Sequence, residues 1–170
     1  YQNFQELGVP THTAEELAFA DSLAGTYSGS DRAPGVGSQY DLDYAADAQA
    51  RRAQAGHAMN RFLLPLYQGD AFQPGSTDVG DVSWQCPTAQ IHVAAWPNGC
   101  PGHSWQNVSC GRTDIGHKAA LHAGKVLAAA AIDLLTDPAL LEEAKTEFQR
   151  RTAAGYTCPI PADAVPTIAD

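Results

Sequence analysis

Between Trp96 and His122 the chain reads WPNGCPGHSWQNVSCGRTDIGHKAALH. It holds two cysteines and three histidines, side chains suited to metal binding or nucleophilic chemistry: Cys100, His103, Cys110, His117 and His122. His103 follows Pro101–Gly102, and a glycine there permits a sharp turn that presents the imidazole to a cavity, as a ligand on a loop requires. Surface loops carry histidines in the same way, and His103 has no HxH or HExxH partner. Cys100 lies three residues before it, yet a zinc site wants four ligands and the chain has no CxxC and no second CxxH. Either thiol could act as a nucleophile with His103 or His117 as its base; the plainer reading is a buried, inert cysteine.

His117 and His122 are five apart on a predicted helix, which separates them by about 140° around the axis. They cannot both reach one metal from a regular helix. His117, near the helix start, is the better placed to turn toward the GHSW loop, although capping or hydrogen bonding is the plainer role for each. A second cluster lies in PGSTDVGDVSWQCPT, where Asp78 and Asp81 are spaced by glycine. Two such carboxylates coordinate a cation or act as acid and base. A Ser-Thr-Asp run equally suits a helix cap.

The elements that position these residues are legible in part. Thr13 with Glu16 three residues on forms a capping box for a helix carrying Leu17, Ala20, Leu23 and Ala24 at helical spacing and ending near Gly25. Residues 28–41, rich in Gly, Ser and Asp, read as a mobile loop. The stretch YAADAQARRAQAGHAMNRFLLPLY reads as partly helical and broken at Pro65. In PTAQIHVAAW, Ile91, Val93 and Ala95 alternate with His92 and Ala94 between Pro87 and Pro97, which predicts a short strand added to a larger sheet. DIGHKAALHAGKVLAAAAIDLLTD is a strong helix with Ala120, Val126–Leu127, Ala130–Ala131 and Leu134 as its apolar face. Asp137–Pro138 then caps and starts a further helix ending near Arg150–Arg151. Residues 155–170 form a Pro-rich tail expected to be extended on the surface. One strand makes no sheet, so the sheet is expected in sequence outside this chain.

With 170 residues, 44% hydrophobic and 17% charged, the composition is that of a globular protein able to bury a core. The net charge of −9, from 19 acidic and 10 basic residues, leaves no basic face for phosphate and argues against a nucleic-acid partner. No membrane span is expected, because the longest apolar run, VLAAAAIDLL, is short and contains Asp133. Four cysteines without a CxxC pair suit reduced thiols in a cytoplasmic protein. The opening YQNFQELGVP has neither an initiator Met nor a signal peptide's pattern, so the chain is expected to come from within a longer one.

Four stretches together, GSTDVGDVSW, PGHSWQ, GHKAALHAGKVLAAAAIDLL and YTCPIPADAVP, resemble the aminoacylase/carboxypeptidase amidohydrolases, a family of dinuclear metallopeptidases. The opening NFQELGVPTHTAEELAFADSL is similar to the segment where such chains re-enter the catalytic domain after a lid or dimerisation insertion. The resemblance implies that residues 1–170 are the C-terminal segment of an α/β catalytic domain, with helices packed on part of a mixed sheet. It implies two divalent ions, zinc or manganese, and cleavage of an N-acyl amino acid such as aminobenzoyl-glutamate by metal-bound water. The family's last histidine ligand matches His103. Asp78 matches a loop bordering the site, where related sequences have Ser-Glu-Asp, and His117 lies at the region's edge; both are weak candidates for supporting or substrate-side roles.

The general-base Glu and the early ligands of that family have no counterpart here, so no catalytic residue is assigned and the chain alone is expected to be inactive. The expected partners are a separate N-terminal catalytic segment, the acyl amino acid and, in a homodimer, a second copy. The alternatives are a non-catalytic homologue or subunit and a small cysteine-dependent enzyme.

Overall fold

The computed structural model describes residues 1–35, 42–67 and 77–165, with only the backbone of Leu42. The second half of the predicted 28–41 loop, the start of the Asp78 loop and the end of the tail lie outside the described residues. Among the described residues, seven helices follow in order: α1 Gln2–Leu7, α2 Ala14–Ala24, α3 Leu42–Ala55, α4 Val79–Ser83, α5 Trp105–Gly111, α6 Asp114–Thr136 and α7 Pro138–Arg151.

Among the described residues there is no strand, and this corrects the expected α/β architecture of helices on a mixed sheet: the fold seen is helical. The predicted strand fails for a physical reason. A strand exists through its ladder of hydrogen bonds to a neighbour. Residues 91–95 are irregular and half-covered, with His92 exposed as the alternation requires, but pair with no second extended segment among those described. Ala94 packs instead against the helical core.

The chain divides into two compact units, Tyr1–Pro74 with Ile91–Asp133, and Gly75–Gln90 with Leu134–Asp170. In the first, α2 begins as its sequence dictates. Thr13 Oγ1 accepts the Glu16 N–H at 3.3 Å, and Glu16 Oε2 accepts the Thr13 N–H at 2.8 Å. Leu17, Ala20 and Leu23 then meet Met59, Cys110 and Ile115 in the core. From α6, Ile115, Ala119, His122 and Val126 are buried, a stripe at i, i+4, i+7 and i+11. Of the expected apolar face only Val126 is buried, while Leu127 and Leu134 are exposed. By length and composition α6 could cross a membrane, and it carries Lys118, Lys125 and Asp133.

Two carboxylates tie α2 to its neighbours. Glu16 takes Lys118 Nζ at 2.8 Å on both oxygens, which with the Thr13 N–H holds its carboxyl below the usual range. Asp21 accepts the Ala58 N–H at 2.6 Å and faces His57 Nδ1 at 2.7 Å. Partial burial works to raise the Asp21 pKa, and the bonds from Ala58 and His57 outweigh it, so the net shift is downward.

In the second unit Asp137 caps α7 by accepting the Ala139 and Leu140 N–H groups at 2.9 and 3.3 Å, with Pro138 as the first helical residue. Trp84 stacks on Tyr156 at 5.3 Å, and Tyr156 donates its hydroxyl to Asp81. A cavity of about 710 Å³ opens among Trp84, Pro87, Leu141 and Phe148, with the Glu147–Arg151 ion pair in its lining. No described residue of this unit is buried. Of the tail 155–170, the described part, 155–165, has neither helix nor strand.

Two outcomes are expected from this architecture. Gly99 has φ 70°, and a Cβ there would strike the Gly29 carbonyl. Gly99→Ala should therefore cost about 2 kcal/mol or more, measured by chemical denaturation, against a near-neutral Gly80→Ala, whose Cβ meets open space. The Asp21 pKa is lowered on folding, so its stabilisation is present above the carboxylate's ordinary range and lost as pH falls through the folded value. Asp21→Asn should lower stability at pH 6 by on the order of 1 kcal/mol, a screened figure for a half-exposed group. It should also flatten the loss of stability expected of the unaltered chain as pH falls through the carboxylate range.

Candidate functional site

The turn carrying His103 is fixed at both ends. On one side the buried Asn98 donates its side-chain amide to the carbonyls of Ser30 at 2.9 Å and Arg32 at 2.7 Å. Its backbone N–H goes to Ala58 O at 2.8 Å, and its carbonyl accepts the Tyr27 hydroxyl at 3.0 Å. Pro97 beside it is fully buried, and Gly99 follows in the left-handed region, close to the Gly29 backbone. On the other side Ser104 caps α5. Its hydroxyl accepts the Asn107 N–H at 3.2 Å and donates to Pro101 O at 2.7 Å. Within α5, Gln106 donates to Thr26 Oγ1 at 3.2 Å and Cys110 enters the core.

His103 sits between these anchors, exposed, with φ 54°. The sequence suggests that Gly102 makes the turn, but His103 itself takes the left-handed conformation, uncommon for a residue with a Cβ. Its ring projects from a braced turn rather than a mobile loop.

The neighbouring thiols lack the environment of a nucleophile. Burial pushes Cys110 up to about 11 and raises Cys100, against the lowering effect of its bond with Ser104. A catalytic cysteine needs the opposite shift. Tyr27 is likewise pushed up to about 12, chiefly by burial, and stays a neutral donor to Asn98.

The other expected residues stand apart in role. His117 is 65% exposed and lies 3.5 Å from Asp114 one turn back, an ordinary pair at a helix start. Asp78, in the second unit, occupies the N-cap of α4 without a side-chain capping bond; Thr77 Oγ1 takes the Val79 N–H instead. Asp81 is engaged by Tyr156, whose pKa is raised chiefly by that bond. Among the described residues no three His, Cys, Asp or Glu side chains converge on one point. One exposed imidazole is a single donor, and a dinuclear centre needs several preplaced ones, so the described residues could supply at most part of such a site.

A polar cluster escaped the sequence reading. His12, its side chain almost wholly buried, lies 3.5 Å from Glu16, which also binds Lys118. Desolvation lowers the His12 pKa despite that carboxylate. His122 is buried against Phe4 at 5.3 Å. The capping box marked Glu16 and nothing in the sequence marked its two further partners.

No protein-family profile and no solved structure matches the chain. Over 174 aligned residues it is 36% identical to one of the subunits of p-aminobenzoyl-glutamate hydrolase from Escherichia coli (strain K12). The match takes in 98% of this chain and 35% of that protein, so the chain spans about a third of its relative's length. The resemblance carried by the GSTDVGDVSW, PGHSWQ and GHKAALHAGK motifs is thus borne out along nearly the whole sequence, as likeness to part of a hydrolase component.

Proposed function

We propose that this chain is part of a metal-dependent amidohydrolase acting on an N-acyl amino acid such as aminobenzoyl-glutamate, and that His103 supplies one ligand to its metal site. The observation that carries this reading is the 36% identity over 98% of the chain to a protein named for p-aminobenzoyl-glutamate hydrolysis. The braced turn adds physical support. A ligand must be held in place before the ion arrives, and His103 is exposed between the Asn98 anchor and the Ser104 cap.

Zinc or manganese in such a site would polarise an amide carbonyl and make water a usable nucleophile at neutral pH. This chain contributes one donor and no assigned general base, so the remaining donors and the base come from polypeptide equivalent to the part of the relative it does not span. The relative is named as one subunit of a hydrolase, which also favours assembly with a partner. Raised thiol pKa values at Cys100 and Cys110 weigh against the cysteine-enzyme alternative.

The test uses the purified chain and a chimera in which it replaces the matched third of the E. coli protein. With manganese or zinc added, the chain alone should leave p-aminobenzoyl-glutamate intact, and the chimera should cleave it. His103→Ala in the chimera should lower bound metal, read by elemental analysis, and reduce turnover on the order of 100-fold or more. His92→Ala, another exposed histidine, should do neither. Hydrolysis by the chain alone, or full metal content in the His103 variant, would overturn the assignment.

A further inference from the structure

Helix α6 has two apolar sides and the first unit buries one of them. Ile115, Ala119, His122 and Val126 face the core. At 100° per residue, Ala120, Leu121, Gly124, Leu127, Ala128 and Ala131 lie opposite, on an arc about 120° wide. Between Ala120 and Ala131 no charged residue falls on this arc, and all six are exposed, Leu121 by 70% and Leu127 by 55%. A helix with apolar residues on two opposite sides suits a place between two layers, and a contiguous apolar face left open marks a docking surface. The small residues would let another backbone approach closely between the two leucines.

The comparison identifies an occupant. The relative matches this chain over 98% of its length, α6 included, and carries about twice as much chain again beyond the match. We propose that the Ala120–Ala131 arc of α6 docks the polypeptide equivalent to the two thirds of the relative that this chain does not span, whether joined to it or separate. A bilayer is the weaker candidate, although α6 has the length and composition to cross one. Lys118 is paired with Glu16 and His122 packs on Phe4, so the opposite side is committed to a folded protein layer.

The inference draws on the same relative as the proposed function but not on any metal or substrate, and its test reads stability and exposure rather than hydrolysis. Leu121→Glu and Ala128→Glu would be made in this chain and at the aligned positions of the full-length E. coli protein. In this chain both side chains are already solvated, so Tm should move by no more than about 2 °C. In the longer protein the same changes should lower Tm by about 8 °C or more, or leave the protein insoluble. Hydroxyl-radical labelling of the unaltered proteins supplies a readout independent of any variant. Leu121 and Leu127 should label strongly in this chain and several-fold less at the matched positions of the longer one.

Equal labelling, or equally small Tm shifts in both proteins, would overturn the proposal. So would a dimer of this chain that Leu121→Glu dissociates, which would make a second copy the occupant. Binding of this chain to phosphatidylglycerol vesicles, lost in the same variant, would overturn it in favour of a lipid surface. None of these results bears on His103, whose metal content is measured separately.

Discussion

The buried amide of Asn98 is the interaction on which the turn carrying His103 depends. A buried polar side chain must satisfy its hydrogen bonds or cost roughly 1–3 kcal/mol per orphaned group. Asn98 meets that demand by binding the carbonyls of Ser30 and Arg32, while its backbone joins Ala58 and Tyr27. One residue therefore gathers three stretches far apart in sequence. Gly99 makes the gathering possible, because any side chain there would meet the Gly29 carbonyl. The position of His103 is set from here, a short turn before its ring would otherwise be free to wander.

What could be read from the sequence follows from how local the physics is. The Thr13 capping box, the Gly25 end of α2 and the Asp137–Pro138 start of α7 are contacts within one turn, and all appear as expected. The strand at residues 91–95 rested on a two-residue alternation. That alternation correctly marks His92 as outward-facing, but says nothing of whether another strand exists to complete a ladder. Pattern alone also left the buried side of α6 undivided: its broad apolar face holds both Val126, which is buried, and Leu127, which is exposed. A helix so rich in alanine and leucine has no single apolar stripe, so the choice fell to its neighbours, Phe4 on α1 and Glu16 on α2.

The candidate site was read from its residue types and not from its geometry. Residue type and the flanking Pro101–Gly102 singled out His103, and the likeness to a hydrolase component strengthens the reason for attending to it. That the histidine, and not the glycine, adopts positive φ could not be foreseen, because the cap at Ser104 and the turn after Asn98 fix the chain from both sides. The His12–Glu16–Lys118 cluster was invisible for a related reason: Lys118 reaches Glu16 across 102 residues of sequence.

Burial separates what this chain settles internally from what it presents. The core around Leu17, Met59, Cys110 and Ile115 is closed, and its carboxylates are paired. The second unit has no buried described residue, and Trp84 and the capped helix α7 line an open cavity. Hydrophobic stabilisation scales with apolar area removed from water, so a unit with no buried residue among those described gains little of it from them. The same accounting applies to the outer arc of α6 within the first unit. Leucines held in water on this helix add little to the chain's own stability, and their hydrophobic free energy is released only when another apolar surface covers them. The docking proposed for α6 draws on that unreleased free energy, which the first unit's own core leaves unused.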